Sequence, residues 1–206
     1  MAAGAVFLAA CGGSGFTYVG TSTDRAYFKV PSDWTKFNKQ EILVATGLDQ
    51  SPDSQSKFHF LVGYYSDPSP AIDHVVKPDA QMRYPTVLAY VRKLGFLDHD
   101  TYSLEKIRNE VYPLDQLLQA HQAEVLSYRD ITLAGGVHGS QIVYNLSGGN
   151  FTIAPGNLVF RVAQIGLLDP GTDLFYLFVL RCSADCYRAN QSLIDEVVNS
   201  WIVKER

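Results

Sequence analysis

The chain has 206 residues, with 17 Lys and Arg against 21 Asp and Glu, and 47% of it is apolar. That is the size and composition of one ordinary globular domain able to bury a core. The net charge of −4 excludes the basic footprint that nucleic acid requires and gives the whole chain no pull toward anionic lipid.

The first informative stretch is VFLAACGGSG, Val6 to Gly15, where an apolar run ends in Leu8-Ala9-Ala10-Cys11 and passes into glycine and serine. It resembles the lipobox of bacterial lipoproteins, in which small residues before the cysteine let a peptidase close over the backbone. The apolar run from Ala2 is far shorter than the roughly 20 residues of a spanning helix, so it reads as a cleavable segment. No Lys or Arg precedes it, which departs from the usual charged opening and suggests a truncated signal peptide. The expected organisation is therefore a signal peptide over 1–10, a lipidated Cys11, a flexible tether over 11–25 and a single domain over 26–206. Two acyl signals suffice for stable attachment, at about 0.8 kcal/mol per buried CH₂.

Further along, Ala26 to Val30 predicts a short strand stopped by Pro31, with a turn before Trp34. Glu41 to Thr46 is a further apolar segment, and Asp49 to Lys57 a polar loop. Phe58 to Tyr65 predicts an aromatic-rich strand, and Ser66 to Pro85, with its prolines, an irregular crossing. Thr86 to Leu94 predicts a helix capped by Gly95. Leu104, Ile107 and Val111, then Leu114, Leu117 and Leu118, share helical faces across Pro113, which predicts a kink or two abutting helices, with Pro113 in the first turn of the second, on one side of a sheet. Glu124 to Leu133, Gly135-Gly136 and Ser140 to Leu146 form a hairpin pattern. Asn157 to Leu167 alternates as far as the Asp169-Pro170-Gly171 turn. Leu174 to Leu180 is apolar throughout, which predicts a central strand covered on both faces. A last helix over Asp185 to Ser200 aligns Leu193, Ile194, Val197, Val198 and Trp201, and supplies one cover. The fold class is α/β (α+β), an α/β/α sandwich with a mainly antiparallel central sheet.

If Cys11 carries lipid, Cys182 and Cys186 remain as an even pair, which on an oxidising outer face is usually a disulfide. A helical separation of four would put them on adjacent turns, within bridging distance. A metal site competes, but no second pair or nearby His completes it, and a redox centre would need a depressed thiol pKa. Asp98-His99-Asp100 is the densest cluster of metal-ligand types, and a solvated loop capping the next helix is its alternative. No Gly-x-Ser-x-Gly elbow, Gly-x-Gly-x-x-Gly or Walker pattern is present. Tyr64, Tyr65, Tyr84 and Tyr90 flank the proline-rich crossing as candidate partner-binding residues, with core packing as the competing reading.

AYFKVPSDWTKF, the Leu-Ala-Gly-Gly hairpin, two long strands and the terminal Asn199-Ser200-Trp201-Ile202-Val203 together resemble the Mog/PsbP-like proteins. The likeness is strongest to actinobacterial lipoproteins of that fold, which share the lipobox and the C-terminal cysteine pair. What the resemblance implies is an α/β/α sandwich that acts by binding, without catalysis or cofactor. The functional expectation is a lipid-anchored scaffold or binding protein on the outer face of the cell membrane. Its partners would be another cell-envelope protein and the membrane itself, through Cys11. The alternative is a lipid or small-solute carrier with an apolar pocket between sheet and helix.

Overall fold

The computed structural model describes residues 15–48, 51–77, 83–99, 101–147 and 159–204. Cys11 and the first ten residues lie outside them. The fold is mixed α+β, built on antiparallel sheets.

The chain enters through a hairpin, β1 (Phe16–Thr21) and β2 (Ala26–Pro31), in which Phe16 pairs with Pro31 and Thr21 with Ala26. The tether expected over 11–25 is thus structured from Phe16: alternation in FTYVGT lets Val19 turn inward while its backbone pairs with β2. After β3 (Thr35–Phe37), the apolar segment expected near Glu41 forms α1 (Lys39–Ala45). Asn38 and Glu41 close a reciprocal capping box at its start, satisfying backbone donors that a helix end leaves open. The expected polar loop contains α2 (Pro52–Lys57), and β4 (Phe58–Tyr65) follows as predicted. The irregular crossing includes one helical turn, α3 (Asp73–Val76).

Thr86 to Leu94 is the main departure, because it is a strand, β5 (Thr86–Lys93), and not a helix. It pairs with β4 on one side and with β9 (Leu174–Ser183) on the other, and its two faces are both covered. Burial on both faces erases the alternation that marks a strand, so its apolar positions fall at helical spacing as well. Gly95 accordingly ends no helix; it precedes the turn α4 (Phe96–His99), and its carbonyl accepts from Asp98 N and His99 N at 2.9 and 3.0 Å. Next come α5 (Leu104–Arg108), with Ser103 accepting from Lys106 N as its cap, and α6 (Leu114–Gln119), which starts at Pro113. Of the two outcomes the proline allows, the chain takes separate helices, with Pro113 at the N-cap of α6, and Ile107, Leu114 and Leu117 are their buried anchors.

β6 (Ala123–Thr132), β7 (His138–Ser147) and β8 (Val159–Leu168) complete a seven-stranded sheet of order β3-β4-β5-β9-β8-β7-β6. β9 stands at its middle, with nine of its residues buried. Gly135 and Gly136, at φ 75° and 84°, make the β6–β7 turn, where a side chain would be strained.

Register fixes the two faces. Gln164, Gly166 and Val162 lie opposite Val179, Leu177 and Arg181. That face receives the short helices: Gln164 Nε2 donates to the Ile107 carbonyl at 2.6 Å, and Arg181 donates to Tyr112 Oη and the Val75 carbonyl at 2.7 Å each. The opposite face, with Phe178, receives a second sheet of order β1-β2-β10, where β10 is Ile202–Val203. Phe28 of β2 packs edge-on against Phe178 and Tyr64, and Trp201 leans on both Phe28 and Phe178. The last helix is broken at Asn190 into α7 (Ala184–Ala189) and α8 (Gln191–Asn199), and Ile194, Val197 and Val198 of α8 face inward. The second cover is therefore part sheet and part helix, where the sequence predicted helix alone.

Candidate binding surfaces

Of the four tyrosines expected on a recognition face, three are interior. Tyr64 packs on Phe28, and Tyr65 donates to Asp67 Oδ2 at 3.0 Å while standing 2.9 Å from His74 Nδ1. Tyr90 donates to Glu110 Oε1 at 2.5 Å from a buried position. Most of β4 and β5 is buried on both faces, so Tyr64, Tyr65 and Tyr90 are core residues, the competing reading, and present no exposed recognition face. Tyr84 alone is exposed, at 39%; it lines an open hollow with Trp34, Arg83 and Leu193.

The cysteine pair is bridged, with Cα atoms 5.9 Å apart. Cys182 sits near the end of β9 and Cys186 in α7, so the bond staples a strand to a helix rather than two turns of one helix. Ser183 between them caps α7 by accepting from Cys186 N at 3.1 Å.

The polar interior is structural. Glu110 accepts from Tyr90, Tyr102 and Arg92, joining β5 to the segment after α5. Burial first, and then the Glu110 carboxylate, raise the Tyr90 and Tyr102 hydroxyls above their ordinary values. Against the loss of solvation, that same carboxylate holds Arg92 charged. On the surface Arg108 clamps Asp115 through two bonds of 2.7 and 2.8 Å, which with Asn109 holds the Asp115 carboxyl below its usual range. Burial lifts the Tyr187 hydroxyl to about 12. These groups hold elements together and none of them faces a pocket as an acid–base pair.

The histidines are dispersed. His59 lies 2.9 Å from Asp24, and His99 lies 4.0 Å from Asp173. Asp98 is turned to Lys106 at 3.8 Å, and Asp100 lies outside the described residues. His138 Nδ1 approaches the Gly136 carbonyl at 3.2 Å within the β6–β7 turn. Among the described residues, no three His, Cys, Asp or Glu side chains gather as a metal site would need.

Two clefts lie on the face with the smaller sheet. One, about 420 Å³, runs between β6–β8 and the α8–β10 junction; Ile131, Ile165, Leu167, Val198 and Trp201 form its apolar wall and Arg129 its rim. On this face β6 is largely exposed and Gln141, Val143 and Asn145 of β7 are only partly buried, so the cleft stays open beyond β8. Arg129 is steadied there by two bonds to Gln141 Oε1. The second, about 300 Å³, lies among the β1–β2, β6–β7 and β8–β9 turns and is mainly polar, with Asp24, Arg25 and Asp169 in its lining. Sequence reading missed the first cleft, because its lining comes from β6, β7, β8 and the α8–β10 junction, segments far apart in sequence, and no single stretch marks it.

No protein-family model matches the chain, and no curated protein matches it. Among solved structures, it is similar to the cyanobacterial PsbP, CyanoP, of Synechocystis, with 16% identity and a TM-score of 0.43 over 96% of this chain and 99% of that one. It is similar to the Ran-binding protein Mog1p of Saccharomyces cerevisiae at 13% identity and a TM-score of 0.45, over 92% and 96%. A third is LpqN of Mycobacterium tuberculosis, described as involved in cell envelope biogenesis, at 14% identity and a TM-score of 0.41 over 93% and 87%.

Proposed function

We propose that this chain is a lipid-anchored, extracytoplasmic binding protein of the cell envelope, without catalytic activity of its own. The observation that carries the reading is the Leu8-Ala9-Ala10-Cys11 box, followed by Gly12-Gly13-Ser14 and then directly by the first hydrogen-bonded residue of the fold. Gly15 already accepts from Ser32 N at 3.0 Å, so only a few residues separate a lipidated Cys11 from folded structure. A bridged Cys182–Cys186 pair suits an oxidising compartment. No helix among the described residues is long and apolar enough to cross a membrane, so a covalent lipid would supply the attachment.

The binding surface is the cleft beside α8, which combines an apolar wall with a charged rim. A photo-crosslinking residue at Ile202, on the rim and 45% exposed, tests this in native membranes. A discrete protein adduct that is lost with Cys11→Ser supports the reading; labelling no stronger than at exposed Tyr18 contradicts it. The same cleft favours a carrier as the second reading, since it lies between sheet and helix. Native mass spectrometry of the membrane-derived protein separates the two: a retained lipid identifies a carrier, and bare protein mass removes that reading.

A further inference from the structure

Phe96 and Leu97 are 89% and 83% exposed, adjacent, and carried on the short turn α4 at the tip of β5. Among the described residues neither side chain is packed into the core, which is closed beneath by Leu94, whose backbone N–H donates to the Asp173 carbonyl at 2.8 Å. Two neighbouring large apolar side chains held fully in water are costly, at roughly 1.5–3 kcal/mol each relative to burial. Single exposed apolar residues are ordinary, but a projecting pair points to something that covers it.

The surroundings select the cover. Phe96 lines a hollow with Lys57 and Lys93, both exposed, and with Asp98, which is engaged by Lys106. Arg92, deeper in the same hollow, is held by Glu110. With Asp98 and Arg92 so paired, Lys57 and Lys93 face one exposed carboxylate on the adjoining turn, Asp173, which stands 4.0 Å from His99; a small cationic excess remains at a tip whose apex is apolar, although the chain as a whole is acidic. That combination suits the boundary of a bilayer, where apolar side chains enter the acyl region and ammonium groups stay at the headgroups.

Position in the fold fits as well. The β1–β2 turn shares a cleft with the β8–β9 turn, and Leu94 bonds to that same turn, so Phe96 lies at the end of the domain where β1 finishes. Gly15 lies at the other end of β1, about 20 Å away for six strand residues. We propose that Phe96 and Leu97 form a second membrane contact, so that the lipid on Cys11 and this loop hold the domain lengthwise along the bilayer. The membrane-side placement rests on the anchored reading above; the affinity of the loop for lipid does not.

Trp34 and Trp201 are both buried, so Phe96→Trp adds one exposed indole to the unlipidated Cys11→Ser chain. With vesicles of phosphatidylcholine and phosphatidylglycerol, its emission should shift to the blue and be quenched by lipid brominated on the acyl chain. Adding Leu97→Ser should weaken this by about tenfold, and Lys57→Glu with Lys93→Glu by about as much at low salt. An indole that remains water-exposed in the presence of vesicles overturns the proposal, as does a signal unchanged by Leu97→Ser. Because this chain lacks the lipidated cysteine, either result leaves the anchoring of Cys11 to be judged separately.

Discussion

Gly166 shows how finely the interior is fitted. A methyl group there would stand 2.4 Å from Ile107 Cγ2, and Ile107 is the residue by which α5 keys into the sheet. Gly166→Ala should therefore cost about 1–3 kcal/mol in urea unfolding, and an unchanged midpoint would show that α5 can shift away at little cost. Asp115 offers a second test. Its hydrogen bonds from Arg108, and then from Asn109, lower its pKa from 3.8, so it binds fewer protons folded than unfolded. The stabilisation is present at neutral pH and is lost as the pH falls through the depressed folded value. Wild type should exceed Asp115→Asn in melting temperature at pH 7, and the gap should close at a pH well under 3.8. A gap that persists in acid would mean that the clamp acts through packing. Residue-level chemistry was also where sequence reading was weakest, because the tyrosines of β4 and β5 look identical whether they face a partner or Phe28.

At the scale of elements, what was legible depended on how many faces a segment buries. β9 was recognisable because LFYLFVL is apolar without interruption, and α8 because its apolar residues recur at helical spacing. β5 was misread because TVLAYVRK is covered on both faces yet ends in polar residues, which mimics a helix with a C-terminal cap. Its Thr, Val and Tyr content was the signal to weigh against periodicity. α1 announced itself in Asn38-x-x-Glu41, and Asn38→Ala should cost about 1 kcal/mol of stability. The Cys182–Cys186 bridge closes so small a loop that its contribution should stay under about 3 kcal/mol, with the effect local to α7 and α8. Reduction should raise amide exchange across 184–199 while leaving β8 and β9 protected. Loss of protection throughout the sheet would instead make the bridge a global clamp.

The whole molecule has two distinct ends. One carries Gly15 and the route back to Cys11; the other carries the turns, the polar cleft and Phe96–Leu97. Between them the antiparallel sheet is covered by short helices on one face and by the β1-β2-β10 sheet with α8 on the other. Sequence periodicity conveyed the layered, antiparallel design, since it depends on buried faces. It could not convey that the second cover is part strand, or that a cleft stays open between β6–β8 and the α8–β10 junction, because both follow from where distant segments dock. The proposed binding role rests on that docking, and the proposed location rests on Cys11.

The most direct measurement is the intact mass of the protein purified from its native membrane, taken before and after reduction. The expected species is a chain that begins at Cys11 with two or three acyl chains and gains two hydrogens when the Cys182–Cys186 bond is reduced. A chain that retains Met1, carries no lipid and shows three free thiols would contradict this expectation.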